Sequence, residues 1–481
     1  MIPLSLQEVA AITGGALHGI DAPAAAAMMI DGPVVTDSRE AGEGGLYIAR
    51  VGEQQDGHRF VGSAAALGAV AALTTRRVDD LPCVVVDDIQ AGMAALARAV
   101  VDRHPDLTVI GITGSSGKTS TKDLLASVLA ASAPTVAPVG SLNSEVGVPL
   151  TVFRVTAQTR YLVVEMGARG IGHISYLTTM APPLIGIELN VGTAHVGEFG
   201  SREAIAVAKA ELVQALPPAG LAVLNADDPA VRAMAGLTRA RSVLVGTSGD
   251  AAVRAESVEL DASGRPTFTV VVSGAGAGAT STAQARASLP LHGEHHVGNA
   301  LAVIAAALEC GLDLDFTVRA LATATPASRW RMEVTERPDG VTVVNDAYNA
   351  NPDSMRAALK ALVAMSRTTD GTPRRTWAVL GSMLELGDSS TAEHDALGRL
   401  AVRLNVSRLV VVGDVARPMA TGAQHEGSWG DEAVWVPDAD AAYELLAGEL
   451  RPGDVVLVKS SRDAGLRWLG DRLADRDEDA T

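Results

Sequence analysis

Aromatic residues are nearly missing from these 481 residues: Phe, Tyr and Trp number five each and together make 3%. A core without large rings has to be filled by small aliphatics, and Ala, Val and Gly are abundant, as in closely packed α/β proteins. Cysteine is scarce too. Two cysteines, Cys83 and Cys310, cannot staple a chain of this length, and their apolar settings (LPCVVV, ALECGL) read as buried thiols in a reducing compartment. No Lys or Arg precedes Arg39, so the N-terminal stretch lacks the basic region of a secretory signal. No apolar run reaches the roughly 18 residues of a spanning helix. The expectation is a cytoplasmic protein without membrane insertion. Positive charge is also short. With 39 basic against 56 acidic residues the net charge is −17, which argues against loose binding to nucleic acid or an anionic membrane. Small anionic ligands stay open, because local sites and metal ions can overrule the net field.

The length is too great for one core and suggests two to four domains. Residues 1 to 103 mix short strand-like runs, GGLYIA (44–49), GAVAAL (68–73) and CVVVDD (83–88), and end in a helix near 90–103. They read as a small N-terminal α/β domain. A second unit, 104–325, opens with LTVIGITG (107–114), followed by the strand-like runs YLVVEMG (161–167), LIGIELNVG (184–192) and LAVLNADD (221–228). Helical stretches lie between them, the clearest at 202–216. Alternating strand and helix predicts a parallel, doubly wound sheet. Residues 251–292 lack helical periodicity and read as a hairpin excursion with a low-complexity tip at 273–283; a small-residue helix follows at 298–310. A third unit, 326–481, repeats the alternation, with strands at 341–348, 376–382, 408–414 and 454–460 and helices at 352–365, 391–404 and 438–449. It reads as a Rossmann-like α/β domain with a frayed tail, DRDEDAT.

Thr113-Gly114-Ser115-Ser116-Gly117-Lys118-Thr119-Ser120 follows a strand and opens a helix. Glycine-freed N–H groups and a helix N-terminus make a cradle for phosphate. Lys118 can reach terminal phosphates and the Thr119 hydroxyl can ligate Mg²⁺. The general P-loop spelling places Gly six positions before the Lys, where Ile112 stands, but the strand–turn–helix context holds. Downstream, Glu165 ends the next strand on the crevice side, and His195 falls just past the strand after that. Together they suggest a metal site. Lys209, within AVAKAEL, reads on its own as a snorkelling surface lysine.

These residues sit in segments that together resemble the Mur ligase family. The matching segments are TGSSGKTS (113–120), EMGA and GHI (165–168, 172–174), NVGTAHVGEFGS (190–201), AKAEL (208–212), NDAYNANPDSMRAAL (345–359) and LGSMLELGDSSTAEH (380–394). They occur in order, and with the N-terminal matches the resemblance covers nearly the whole chain. The resemblance implies three domains, binding the UDP part of an acceptor, ATP, and the incoming amine in turn. YNANPDS (348–354) and LELG (384–387) resemble the D-alanyl-D-alanine-adding member, and the Asp-Asn-Pro-Arg motif of the diaminopimelate-adding one is absent. The implied partners are therefore UDP-N-acetylmuramoyl-tripeptide and D-alanyl-D-alanine, with ATP and two Mg²⁺ ions, on a monomer.

By the same resemblance, Thr119, Glu165 and His195 would hold metal, and Lys209 would carry a CO₂-derived carbamate. Ser38 and Arg39 would lie near the uridine diphosphate, and Asn143 and Ser144, in LNSEVGVP, near the sugar. Asn299 would read adenine, with His296 where Asn is usual. Arg331 would reach the γ-phosphate, preceded by Trp330 where Gly is usual, and Asp346 would hold the ribose. Asn349, Asn351 and Lys459 would face the dipeptide or nucleotide, although Asn351 before Pro352 reads equally as a helix N-cap. Lys459-Ser460-Ser461-Arg462 departs from a usual Lys-Gly-Ser-Arg. Two other readings stay open: another amide ligase of this superfamily, and a regulatory P-loop ATPase. The second explains the phosphate loop but leaves the N-terminal DSR and DGH segments and the asparagine cluster of the third unit unexplained.

Overall fold

The structure, a computed structural model, describes residues 1–52, 54–193, 196–273, 282–325, 327–428 and 430–475. His195, most of the tip at 273–283 and the tail after Asp475 lie outside the described residues. The chain builds three α/β units in sequence. The first is a five-stranded sheet in the order Ala16–His18, Cys83–Val85, Ala69–Thr74, Gly45–Ile48, Val34–Val35. All its pairings are parallel except that of Ala16–His18. Its closing helix, Ile89–Asp102, buries Met93, Leu96 and Val100 in a cluster shared with Val148, Val152 and Leu177 of the second unit. The first unit is thus seated on the second by one continuous apolar contact.

The second unit is a nine-stranded sheet. Its phosphate-loop strand, Thr108–Thr113, lies between Tyr161–Glu165 and Ile185–Glu188 and is parallel to both. The chain first winds to one side of this strand and then to the other. The carboxyl ends therefore open a crevice at the switch point, where ligands of open α/β sheets bind. Strands there are buried on both faces, which explains their unbroken apolar runs. The stretch without helical periodicity is the antiparallel ladder Val253–Leu260, Pro266–Ser273 and Thr282–Ser288.

The third unit is a six-stranded sheet in the order Glu333–Glu336, Thr342–Asn345, Val455–Lys459, Thr376–Leu380, Arg408–Val412, Ala433–Val436. Glu333–Glu336 pairs antiparallel and the rest parallel. Helix Pro352–Ala364 shows how its sequence sets it. Asn351 caps it by accepting from Ser354 N at 2.9 Å, and Pro352 occupies the first turn. Met355, Ala358, Leu359 and Leu362 then fall on one buried face. Among the described residues no helix is long and apolar enough to cross a membrane. Cys83 and Cys310 are both free; Cys83 is buried, whereas Cys310 is only partly so.

Candidate active site

Gly117 stands at φ 81° and gives the Lys118–Ala130 helix no side-chain cap. The first N–H groups of that helix are therefore left to an external acceptor, and the helix dipole favours an anion there. A Cβ on Gly117 would come within 2.8 Å of Asn299 Oδ1, so glycine is required for close approach as well as for the turn. Asn190 holds the loop from the neighbouring strand end, its Oδ1 accepting from Ser116 N at 2.9 Å. Lys118 Nζ is turned onto Gly114 O at 2.7 Å. Ser120 lines the same cleft, while Thr113 ends the strand buried beneath the loop.

Beside the loop, Thr119 Oγ1 donates to Glu165 Oε2 at 2.9 Å and contacts Ser141 Oγ at 2.9 Å. The other oxygen of Glu165 accepts from Asn143 Nδ2 at 2.8 Å. No group of three His, Cys, Asp or Glu suited to a metal occurs among the described residues. The Thr119–Glu165 pair nevertheless fits Mg²⁺, which takes one or two protein oxygens and fills its octahedron with phosphate and water.

The third unit reaches across this crevice. Arg331 donates from Nη2 to Ser141 Oγ at 2.9 Å, and its guanidinium lies 4.3 Å over the Tyr348 ring. Asn351 Nδ2 lies 3.4 Å from Ser115 O, and Asp353 Oδ2 accepts from Thr193 N at 3.3 Å. Asn351 is therefore both a helix cap and a neighbour of the phosphate loop. Lys459 Nζ donates to Asp346 Oδ2 at 2.6 Å and to Asn349 O at 3.0 Å, and Asp346 Oδ1 accepts from Met332 N at 3.0 Å. Burial lowers the Lys459 pKa while Asp346 opposes the shift. Ser460 is not among the described residues with positive φ, so serine replaces the usual glycine there without backbone strain. Trp330 does adopt a left-handed φ of 59°.

The cleft enclosed by these segments has a volume of about 530 Å³ and is also lined by Ser144, Asn299 and His296. Asn299 Nδ2 sits 3.4 Å from His296 Nδ1, and burial holds His296 neutral, well below its ordinary pKa. Ser38 and Arg39 do not line the cleft; they lie in the first unit, where Arg39 pairs with Asp37. Lys209 is no snorkelling residue, being 6% exposed. Burial lowers its pKa to about 7, and Lys118 acts in the same direction while Glu188 opposes. Glu188, register partner of Thr113, escaped the sequence reading. Neither of its buried carboxylate oxygens has a hydrogen-bond partner among the described residues. Burial pushes its pKa up to about 8 against the pull of Lys209 and Lys118. Ser141, Arg169 and Arg462 are further cleft residues whose position the sequence did not reveal.

A strand–turn–helix phosphate cradle, an adjacent hydroxyl–carboxylate pair and a third lobe bringing an arginine to them define a nucleotide-dependent enzyme of the ATP-using ligase class. Known proteins agree. The Mur ligase middle domain matches residues 112–307, the Mur ligase glutamate ligase domain 330–462, and the Mur ligase family catalytic domain 33–112. The chain belongs to the Mur ligase family. It is 50% identical to the UDP-N-acetylmuramoyl-tripeptide–D-alanyl-D-alanine ligase of Mycobacterium bovis over 99% of both chains. The enzyme of the same name from Escherichia coli is 31% identical over 97% of both. Among solved structures, MurF from Acinetobacter baumannii superposes with a TM-score of 0.85 at 30% identity, covering 98% of this chain and 99% of its own. MurF from Thermotoga maritima in complex with ADP gives 0.77 at 27% identity, covering 92% and 97%.

Proposed function

We infer that the chain joins D-alanyl-D-alanine to the free carboxylate of UDP-N-acetylmuramoyl-tripeptide, converting ATP to ADP and phosphate. One juxtaposition carries the chemistry: the Arg331 guanidinium on Ser141, which itself touches Thr119 of the phosphate loop. A cation from the third unit thus stands beside the phosphate loop, and we take it to face the terminal phosphate. Identity of 50% over 99% of the chain to a ligase of that name carries the choice of substrates.

A carboxylate is a poor electrophile, and bringing it to a triphosphate is opposed by charge. Two unit charges 4 Å apart repel by about 4 kcal/mol at an effective dielectric of 20. Lys118 and Arg331 offset that repulsion and stabilise charge on the phosphoryl group in transit. We assign one Mg²⁺ to Thr119 and Glu165, and a second to the neighbourhood of Glu165 and His195; bound there, they would neutralise phosphate charge. The carboxylate oxygen attacks the γ-phosphorus, the bond to the β-phosphate oxygen breaks, and ADP leaves. The dipeptide amine, as free base, then attacks the acyl carbon, and the tetrahedral intermediate collapses with loss of phosphate. We assign Asn299 and Asp346 to the base and ribose and Asn143 and Ser144 to the acceptor sugar, and keep Ser38 and Arg39, which lie outside the cleft, for its diphosphate end. We assign Asn349, Asn351 and Lys459 to the dipeptide or the nucleotide.

Domain boundaries at 103 and 325 follow from this division of labour. The same reading takes the enzyme as a monomer working in the cytoplasm. Phosphate release tests the function. It should require both the acceptor nucleotide and D-alanyl-D-alanine. Equal hydrolysis without either, and no amide when both are present, would identify a plain ATPase.

A further inference from the structure

Lys122 lies in the helix that leaves the phosphate loop, is 1% exposed, and is outside the machinery described so far. Its Nζ pairs with Asp123 Oδ1 at 2.5 Å and donates to Pro138 O at 3.0 Å and to Ser328 Oγ at 3.2 Å. Asp123 adds a second tie, its Oδ2 accepting from Ser328 N at 3.1 Å. The two segments so held are the feet of a bridge over the cleft. Three residues beyond Pro138 stands Ser141, and three beyond Ser328 stands Arg331, and these two tips meet at 2.9 Å. From the far side, Trp330 Nε1 donates to Asp471 Oδ2 at 2.8 Å, and Arg329 pairs with the same carboxylate at 3.0 Å. Little slack is left between the anchors.

A buried ion pair is a poor way to make a helix stable. Desolvation costs several kcal/mol per ion, and apolar residues of like volume often serve as well or better. What an apolar pair cannot do is donate at fixed angles to two segments that are distant in sequence. We propose that Lys122 is a positioning residue for phosphoryl transfer, its ammonium setting the spacing between Arg331 and the Ser141–Thr119 side of the phosphate loop. The proposal rests on the ligase reading above. It also means that Arg331 is registered on the phosphate-loop helix itself, not only on the third unit.

The test is the full-length enzyme carrying Lys122→Met with Asp123→Asn, which removes both charges together and leaves no unpaired ion. Melting and ADP affinity should stay near wild type, because the phosphate loop is untouched. Misplacement of catalytic groups by about 1 Å can cost 10²-fold, so kcat should fall about ten- to a hundredfold. Single-turnover acyl-phosphate formation should slow in parallel, while the KM for D-alanyl-D-alanine stays within about twofold. Ser328→Ala, which deletes one hydroxyl, should lower kcat about threefold and decides the matter if the double variant does not fold. A folded variant with wild-type kcat overturns the proposal, as does a loss confined to KM. If wild type itself makes no amide product, the ligase reading fails and takes this proposal with it.

Discussion

The hydroxyl of Thr119 donates to Glu165 Oε2 at 2.9 Å, tying the first turn of the phosphate helix to the end of the adjacent strand. Two oxygens this close, one neutral and one anionic, are a natural pair of ligands for one hard cation. Glu165→Gln keeps the shape, and its carbonyl oxygen can still accept from Asn143, but the charge is lost. We expect kcat to drop about 10²–10³-fold, and the Mg²⁺ concentration for half-maximal rate to rise. A steady-state Mg²⁺ titration checks this; an unchanged midpoint would remove Glu165 from the metal site.

Glu188 should make the fold less stable as pH rises. Its carboxyl is raised in the folded state to about 8 from an ordinary 4.5, so the folded protein holds a proton that the unfolded chain releases. The stabilisation this gives is complete below about 4.5 and is lost as pH climbs through 8. Glu188→Gln keeps the shape without the titration. Its melting temperature should exceed that of wild type by several degrees at pH 8 and by less at pH 5. A variant less stable than wild type at pH 8 would show that the carboxylate is needed as the counter-ion of Lys209.

Lys209 is suited to react with CO₂, which adds only to a neutral amine, giving a carbamate and releasing a proton. With its pKa lowered to about 7 by burial, the neutral form is present at physiological pH, and a protonated Glu188 can sit beside the resulting anion. We expect a carbamate ¹³C signal after incubation with labelled bicarbonate, absent from Lys209→Ala. The rate should fall on CO₂ depletion and fall further at pH 6, where protonation of the amine competes. If depletion and Lys209→Ala both leave the rate untouched, no carbamate operates here.

Segments whose physics is local could be read from sequence. Glycine spacing, a buried strand and a following helix gave the phosphate loop, and missing helical periodicity pointed to a hairpin where three antiparallel strands stand. Residues that act through distant neighbours could not be read. Lys122 looked like any polar position on a helix, because its meaning comes from Pro138 and Ser328. Glu188 was submerged in an apolar run, where one charge does not disturb a strand pattern. The burial of Lys209 depends on which face its helix turns inward, and with apolar residues on several faces the lysine reads, wrongly, as snorkelling from the surface. The edge strand Glu333–Glu336 is short and polar, and helix Pro418–Glu426 is small and weakly amphipathic. Neither carries a strong periodic signal.

Trp330 poses a contest between backbone and side chain. Its left-handed φ of 59° costs a non-glycine residue about 1–2 kcal/mol, which Trp330→Gly would recover. The same change removes an indole that meets Trp468 edge-on at 5.3 Å and donates to Asp471. Loss of a fully buried tryptophan costs about 3–5 kcal/mol, and Trp330, only half-buried, stands at the low end of that range. Packing should win, leaving the glycine variant about 2 kcal/mol less stable in denaturant unfolding, with kcat reduced because Arg331 is its neighbour. Trp330→Phe keeps a ring and loses only the indole donor, a change of about 1 kcal/mol. A glycine variant more stable than wild type would mean that the ring is held by the strained backbone, and not the backbone by the ring.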